Sequence, residues 1–326
     1  MTKAVIRAMD TIEDFALKNS LAKIKKFMLA GESKRGWITW LSTAVDPKRV
    51  YSAVPVVLDF LDINKNLHSH FKCLGGWTFA FYPYYVLNIT KYADSRELFE
   101  FQKITDPINY LDRYKDTNIL VMTTSGDEFF LPEDTHSYWQ NLVEATDGKV
   151  LLRRLPNAEH LMIAHAISEF ESITAFFFST YERIFIPKLR WTFPNNATHG
   201  IIRATVDTTN SPKPSSFQAF YAKTLDNKRR DFRLASADPK DPSKPVPHPV
   251  VWFSTQKEVL VYEKKDSITY EIAFPKPTDG WFGFFLEFSF RNLDNSVNIV
   301  TTETNVIPEF FPFEDCFSNE CFGSLV

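Results

Sequence analysis

The 326 residues are enough for two domains of ordinary size. Hydrophobic residues make up 44% and charged residues 24%, which excludes disordered and fibrous chains. The net charge of −3 offers no basic excess for nucleic acid.

No apolar run nears the roughly 18 residues that a membrane span needs. Met1 to Ile12 is mixed and charged, without the apolar core of a secretory leader. Three cysteines, Cys73, Cys316 and Cys321, are too few for a disulfide scaffold. With no histidine near Cys316 and Cys321 in sequence, no zinc site, other metal or cofactor is expected. Aromatic residues reach 15%, with 31 phenylalanines in strand-like alternation, which reads as a phenylalanine-filled core rather than a sugar-binding face.

In chain order, a helical pattern over Ala4 to Asn19 comes first, then an apolar run from Ile24 to Ala30. A helical stretch follows from Trp37 to Val45, stopped by Asp46-Pro47. Strand-like runs recur at Val50–Leu58, Asn118–Thr124 and Lys149–Leu155, with helical patterns at His136–Glu144 and Ile163–Ile184. Such alternation predicts a parallel sheet covered on both faces. Leu61 to Tyr114 is longer than one crossover needs and is expected to carry extra helices over the sheet's upper edge, with the aromatics of Trp77–Tyr85 packed inside.

After Pro187 strands dominate: Ile201–Val206, Phe217–Thr224, Val250–Ser254, Val259–Glu263, Ile268–Phe274, Trp281–Phe290 and Val297–Thr302. Asp238 to Pro245 reads as a turn-rich connection. The division expected is an α/β domain over 1–187 and an immunoglobulin-like antiparallel β-sandwich over 188–326.

Gly31-Glu32-Ser33-Lys34-Arg35-Gly36 lies between a strand and a helix, the placement of a nucleophile elbow. A tight turn there exposes the serine oxygen, and the helix N-terminus, starting with the Lys34 N–H, favours an oxyanion. Arg35 stands where the general motif has glycine; otherwise Ser33 is an ordinary helix cap. A serine nucleophile needs an imidazole base oriented by a carboxylate. Asp127 follows the third apolar run and His160 the fourth, in the chain order of an α/β-hydrolase. Glu128 and Asp134 are rival acids, Glu128 pointing away if Asp127 points in; His165 is a rival base, and Cys73 reads as a buried small hydrophobe.

Several blocks are distinctive: Gly31-Glu-Ser-Lys-Arg-Gly-Trp-Ile-Thr-Trp, Val45-Asp-Pro-Lys-Arg-Val, Asp106-Pro-Ile-Asn-Tyr, Gly126-Asp-Glu-Phe-Phe-Leu-Pro, Leu155-Pro-Asn-Ala-Glu-His, Arg230-Asp-Phe-Arg and the tail from Pro312 to Val326. Together they resemble the PhoPQ-activated pathogenicity-related family, over nearly the whole chain. The resemblance implies an α/β-hydrolase-like domain followed by a β-sandwich, usually in exported proteins, some of which are secreted signals that restrain proliferation of their own cells. It carries the nucleophile to Ser33, the acid to Asp127 and the base to His160, and Lys34-Arg35 fits the family's own elbow.

Members of that fold carry strands before the nucleophile strand. Here a single helical segment precedes it, so an N-terminally shortened member is expected. Its first strand would be an exposed edge able to support a homodimer, and the loop that gives a second oxyanion N–H would be missing. The location expected is extracellular by resemblance, or cytoplasmic if the sequence is complete. Asn88 and Asn196 head glycosylation triplets, and Cys316 and Cys321 can pair in an oxidising compartment. The functions expected are a secreted signal acting on a cell-surface receptor, or a serine hydrolase acting on a small ester or peptide; a sandwich that binds carbohydrate is the remaining option.

Overall fold

The structure, a computed structural model, describes residues 1–182, 186–209 and 211–326. Helix α1 (Thr2–Lys18) precedes β1 (Phe27–Glu32), which turns at Ser33 into α2 (Lys34–Val45) and leads on to β2 (Val50–Val56). Helices α3 (Ile63–Leu74), α4 (Tyr82–Val86) and α5 (Arg96–Thr105) form a cap before β3 (Asn118–Thr124). Then come α6 (Trp139–Ala145), β4 (Val150–Leu155) and α7 (Ala166–Tyr181).

The four strands form one parallel sheet in the order β1-β2-β3-β4. β2, β3 and β4 are buried on both faces, which gives their largely apolar runs, whereas the outer strand β1 is only half-buried. Ile119, Val121 and Leu152 point toward Trp40 of α2 and Trp139 of α6, whereas Leu120, Met122 and Leu151 point toward Phe176 of α7 and the C-terminal half.

Several element boundaries differ from the sequence expectation. The first strand begins at Phe27 instead of Ile24 and continues past Ala30, because its pairing with β2 persists through Gly31–Pro55 and Glu32–Val56. The helix expected over Ile163–Ile184 opens as a 3-10 turn at Ile163–His165, after a left-handed Met162, and becomes α-helical at Ala166. Its last expected positions, Arg183 and Ile184, lie outside the described residues.

β1 is an outer strand of this sheet. Helix α1 lies beside it: Ala4 and Val5 share a cleft of about 300 Å³ with Leu29, Ala30 and Ile38. Arg49 pins that helix, reaching Asp10 at 2.8 Å, Glu13 at 3.2 Å and Asp46 at 2.6 Å.

The C-terminal half is antiparallel. β5 (Leu189–Thr192), β6 (His199–Asp207), β7 (Ser216–Lys223), a β8 (Ala235–Asp238) and β9 (Asp241–Pro247) ribbon, and β10 (Phe253–Thr255) come first. They are followed by β11 (Leu260–Lys264), β12 (Ser267–Pro275), β13 (Phe282–Arg291), β14 (Val297–Thr301) and β15 (Asn305–Ile307). One sheet runs β11-β12-β6-β5 and the other β10-β7-β13-β14, with β15 also on β13. Lettered along the chain, this is the A-B-E-D against C-F-G arrangement of immunoglobulin folds, with one strand added beside C.

The turn-rich stretch from Asp238 is in fact the β8–β9 ribbon. It accommodates Pro242, Pro245 and Pro247 because it pairs on one side only, leaving positions that need no N–H donor. The strand expected at Val250–Ser254 shortens to Phe253–Thr255, since Val250 and Trp252 turn inward against Phe232 and Phe285.

Phe284, Leu286, Phe288 and Phe290 of β13 lie in one continuous core with Ile202, Ile272 and Val300 of the sandwich and Val54, Leu120 and Phe176 of the first half. The Arg154 N–H donates to Thr301 Oγ1 at 3.0 Å, joining β4 to β14. Among the described residues no helix is long and apolar enough to cross a membrane.

Candidate active site

Ser33 sits where β1 ends and α2 begins, with φ 51° and ψ −122°. An L-residue adopts that conformation only when its surroundings impose it. The Ser33 N–H donates to Val56 O at 2.8 Å, and the Trp37 N–H donates to Ser33 O at 3.1 Å. A Cβ on Gly31 would lie 2.8 Å from Arg35 O, and one on Gly36 would lie 2.8 Å from Val56 O. Gly36 thus gives α2 its close approach to β2. The glycine that the general motif has two places after the serine is needed here one place later, which accounts for Arg35.

Asp127 and His160 follow the carboxyl ends of β3 and β4 and meet Ser33 at the same sheet edge. His160 Nε2 lies 2.7 Å from Ser33 Oγ, and Nδ1 lies 2.9 Å from Asp127 Oδ2 and 3.0 Å from Oδ1. Asp127 is buried and also accepts the Phe129 N–H at 2.7 Å, the Phe130 N–H at 3.2 Å and the Thr124 hydroxyl at 3.3 Å. Those donors fix the carboxylate in one orientation. The Phe129 ring packs 4.5 Å from the imidazole, between centroids, and Phe130 lies at 5.7 Å. Burial opposes charge on the ring, yet the Asp127 charge and hydrogen bond, helped by Glu128 and Asp59, outweigh it. The pKa of His160 is raised above its ordinary value.

The rival residues have other partners. Glu128 Oε2 accepts the backbone N–H of His160 at 2.9 Å, so adjacent acids hold the ring and the main chain of one histidine. Asp134 Oδ2 accepts the Leu131 N–H at 2.9 Å and closes the loop after Asp127. His165 reaches Asn157 O at 3.2 Å. Cys73 is buried and free, its thiol 3.7 Å from Glu133 Oε1; burial, and then the Glu133 charge, push its pKa well up. Lys34 is the first residue of α2, so its N–H belongs to the unpaired first turn.

Sequence reasoning missed how far the C-terminal half holds this site. The Asn157 side chain donates to Trp252 O at 2.9 Å and accepts the Trp252 N–H at 2.7 Å. Leu234 N donates to Gly126 O at 3.1 Å, beside Asp127, and Gly126 N donates to Ala158 O at 3.1 Å. The signal for Asn157 was its type: asparagine tolerates the left-handed backbone (φ 56°) found there. Its partner lies 95 residues away and carried no signal.

The remaining blocks also take places around the site. Asp106 accepts the Ile63 N–H at 2.7 Å and the Ile108 N–H at 3.0 Å, anchoring the cap. Arg230 forms a buried ion pair with Glu133 at 2.8 Å, and Arg233 pairs with Asp231 at 2.6 Å. Asn88 and Asn196 are exposed.

A family model described as PhoPQ-activated pathogenicity-related protein matches residues 1–233. The chain belongs to that family. This family member is also similar to autocrine proliferation repressor protein A of Dictyostelium discoideum, 33% identical over 335 aligned positions that cover 99% of this chain. It spans 64% of that relative's length. Among solved structures it is similar to a carboxylesterase from Nitrososphaera gargenis, at 15% identity over 56% of this chain and 74% of that one, with a TM-score of 0.33. An esterase of Pyrococcus furiosus matches at 14% identity over 54% of this chain and 60% of that one, with a TM-score of 0.34. The strand order and the placement of Ser33, Asp127 and His160, rather than these distant likenesses, give the fold its α/β-hydrolase character.

Proposed function

We propose that this protein is a serine hydrolase that cleaves an ester or peptide acyl bond. The observation that carries the reading is the continuous hydrogen-bonded path Ser33 Oγ–His160 Nε2, His160 Nδ1–Asp127, at 2.7 and 2.9 Å. Asp127 keeps the proton on Nδ1, leaving the Nε2 lone pair toward the serine. Ser33 Oγ attacks the carbonyl carbon as its proton passes to Nε2. The carbonyl oxygen becomes an oxyanion at the N-terminus of α2, within reach of the Lys34 N–H. Collapse expels the alcohol or amine, which takes the proton from Nε2, and a water repeats the sequence to free the acid and Ser33. A fluorophosphonate probe tests this: wild type should label, and Ser33→Ala should not. Absence of labelling in the folded wild type would overturn the reading.

A second reading rests on the relative named an autocrine proliferation repressor, which is matched along nearly this whole chain. On it the protein is a secreted signal that restrains cell growth and has no need of turnover. Ser33→Ala would then keep full growth-inhibiting activity on cells, whereas its loss with the alcohol would tie the signal to hydrolysis.

A further inference from the structure

The tail after β15 returns to the cap and is fixed there along its length. Phe313 N donates to Lys72 O at 3.2 Å, Trp77 Nε1 donates to Cys321 O at 2.9 Å, and Thr90 Oγ1 donates to Phe322 O at 3.2 Å. Trp77 N and O pair with Ser324 O and Val326 N, each at 2.8 Å. Cys316 and Cys321, both buried, are joined by a disulfide inside this strap. His68 of α3 faces it: Nδ1 lies 2.7 Å from Asp315 Oδ1, and ligand atoms of His68, Asp315 and Cys316 all lie within 4.8 Å of one another.

We propose that, when the disulfide is reduced, His68, Asp315, Cys316 and Cys321 form a tetrahedral zinc site that bolts the strap to the cap. The donor set is one imidazole, one carboxylate and two thiolates, with the cysteines in C-x₄-C spacing, all suited to zinc. Bond lengths of about 2.0–2.3 Å put tetrahedral ligand atoms roughly 3.3–3.8 Å apart, so the His68, Asp315 and Cys316 atoms need only small adjustment, while the Cys321 thiolate, freed from Cys316, must turn to take the fourth position. The surroundings are those of a metal-binding histidine. With Nδ1 turned to the metal, Nε2 lies 4.0 Å from Asp94 Oδ1, so a small closure would let that carboxylate orient the ring. Asp94 is itself near the strap, where Oδ2 accepts the Ser318 N–H at 3.4 Å. Two thiolates and a carboxylate outweigh the metal by one negative charge, and Lys72 Nζ, 3.8 Å from Asp315 Oδ2, offsets it.

The redox step balances with a dithiol reductant. It supplies two electrons and two protons, the Sγ–Sγ bond breaks to two thiols, and the reductant closes to its own disulfide. Zinc then displaces the two thiol protons to solvent. The strap is therefore closed covalently in oxidising surroundings and by metal in reducing ones. The histidine that completes the site is 247 residues from Asp315, which is why the spacing of the cysteines along the chain does not reveal it.

The full chain, reduced with dithiothreitol and freed of it anaerobically, is titrated with cobalt(II) and then zinc(II) salts. One cobalt per chain is expected, with a thiolate-to-cobalt charge-transfer band and tetrahedral ligand-field absorption that zinc abolishes, and neither in the oxidised chain. Replacing Cys316 and Cys321 by serine should remove the charge-transfer band. His68→Ala and, separately, Asp315→Asn should weaken binding by tenfold or more, and Asp94→Asn by about tenfold through the histidine. A reduced, folded chain that gives no charge-transfer band, or one whose affinity is unchanged in both His68→Ala and Asp315→Asn, overturns the proposal.

Discussion

At the scale of single residues, the imidazole is gripped from two sides. Asp127 raises its pKa, and on the hydrolase proposal His160 serves as a base only when neutral. Probe labelling should therefore rise with pH through a midpoint above about 6.5, the ordinary histidine value. Asp127→Asn should lower that midpoint and cut the labelling rate by about 10⁴-fold; a midpoint unmoved in that variant would count against the electrostatic account. The raised value also means that His160 favours the folded state at acid pH, a contribution lost as pH climbs through the folded-state midpoint. Ser33, Asp127 and His160 were legible because each type has a chemical reason to stand just past a strand. Glu128 was not, since only the fold shows that the acid beside Asp127 meets the main chain of the same histidine.

At the scale of elements, the loops that carry Asp127 and His160 are not free-standing turns. Asn157 binds both polar groups of Trp252 as a neighbouring strand would, tying the loop between β4 and α7 to the start of β10. Asn157→Ala should cost about 1–3 kcal/mol through the unpaired groups. It should also slow labelling by about 10- to 100-fold through displacement of His160, with circular dichroism unchanged. A labelling rate equal to wild type would show that the contact only packs. β3 was readable to the residue because Asn118–Thr124 is apolar on both faces and bounded by turn residues. The β8–β9 ribbon was hidden by its prolines, which argue against a strand unless one side is known to be unpaired. β5 and β15 are too short for any periodicity to register.

At the scale of the molecule, the two halves differ in grammar but share a core in which Phe288 and Leu120 are both fully buried. Differential scanning calorimetry should show one cooperative transition, and Phe288→Ala should lower it as a whole, by about 3–5 kcal/mol. Two separable transitions would mean that the halves are thermodynamic domains. The change at Pro187 marked where strand direction changes, but residue order alone could not show that Val54 and Val300 occupy the same interior. The left-handed twist at Ser33 has its own bearing on thermal endurance. A side chain forced into that geometry costs about 1–3 kcal/mol, only partly offset by the flexibility glycine would add to the unfolded chain. Ser33→Gly, which removes the proposed nucleophile, should melt roughly 2 °C higher than its parent. On the hydrolase proposal, heat resistance and reactivity pull against each other at one peptide unit, and selection for the more durable chain would erode the more reactive one.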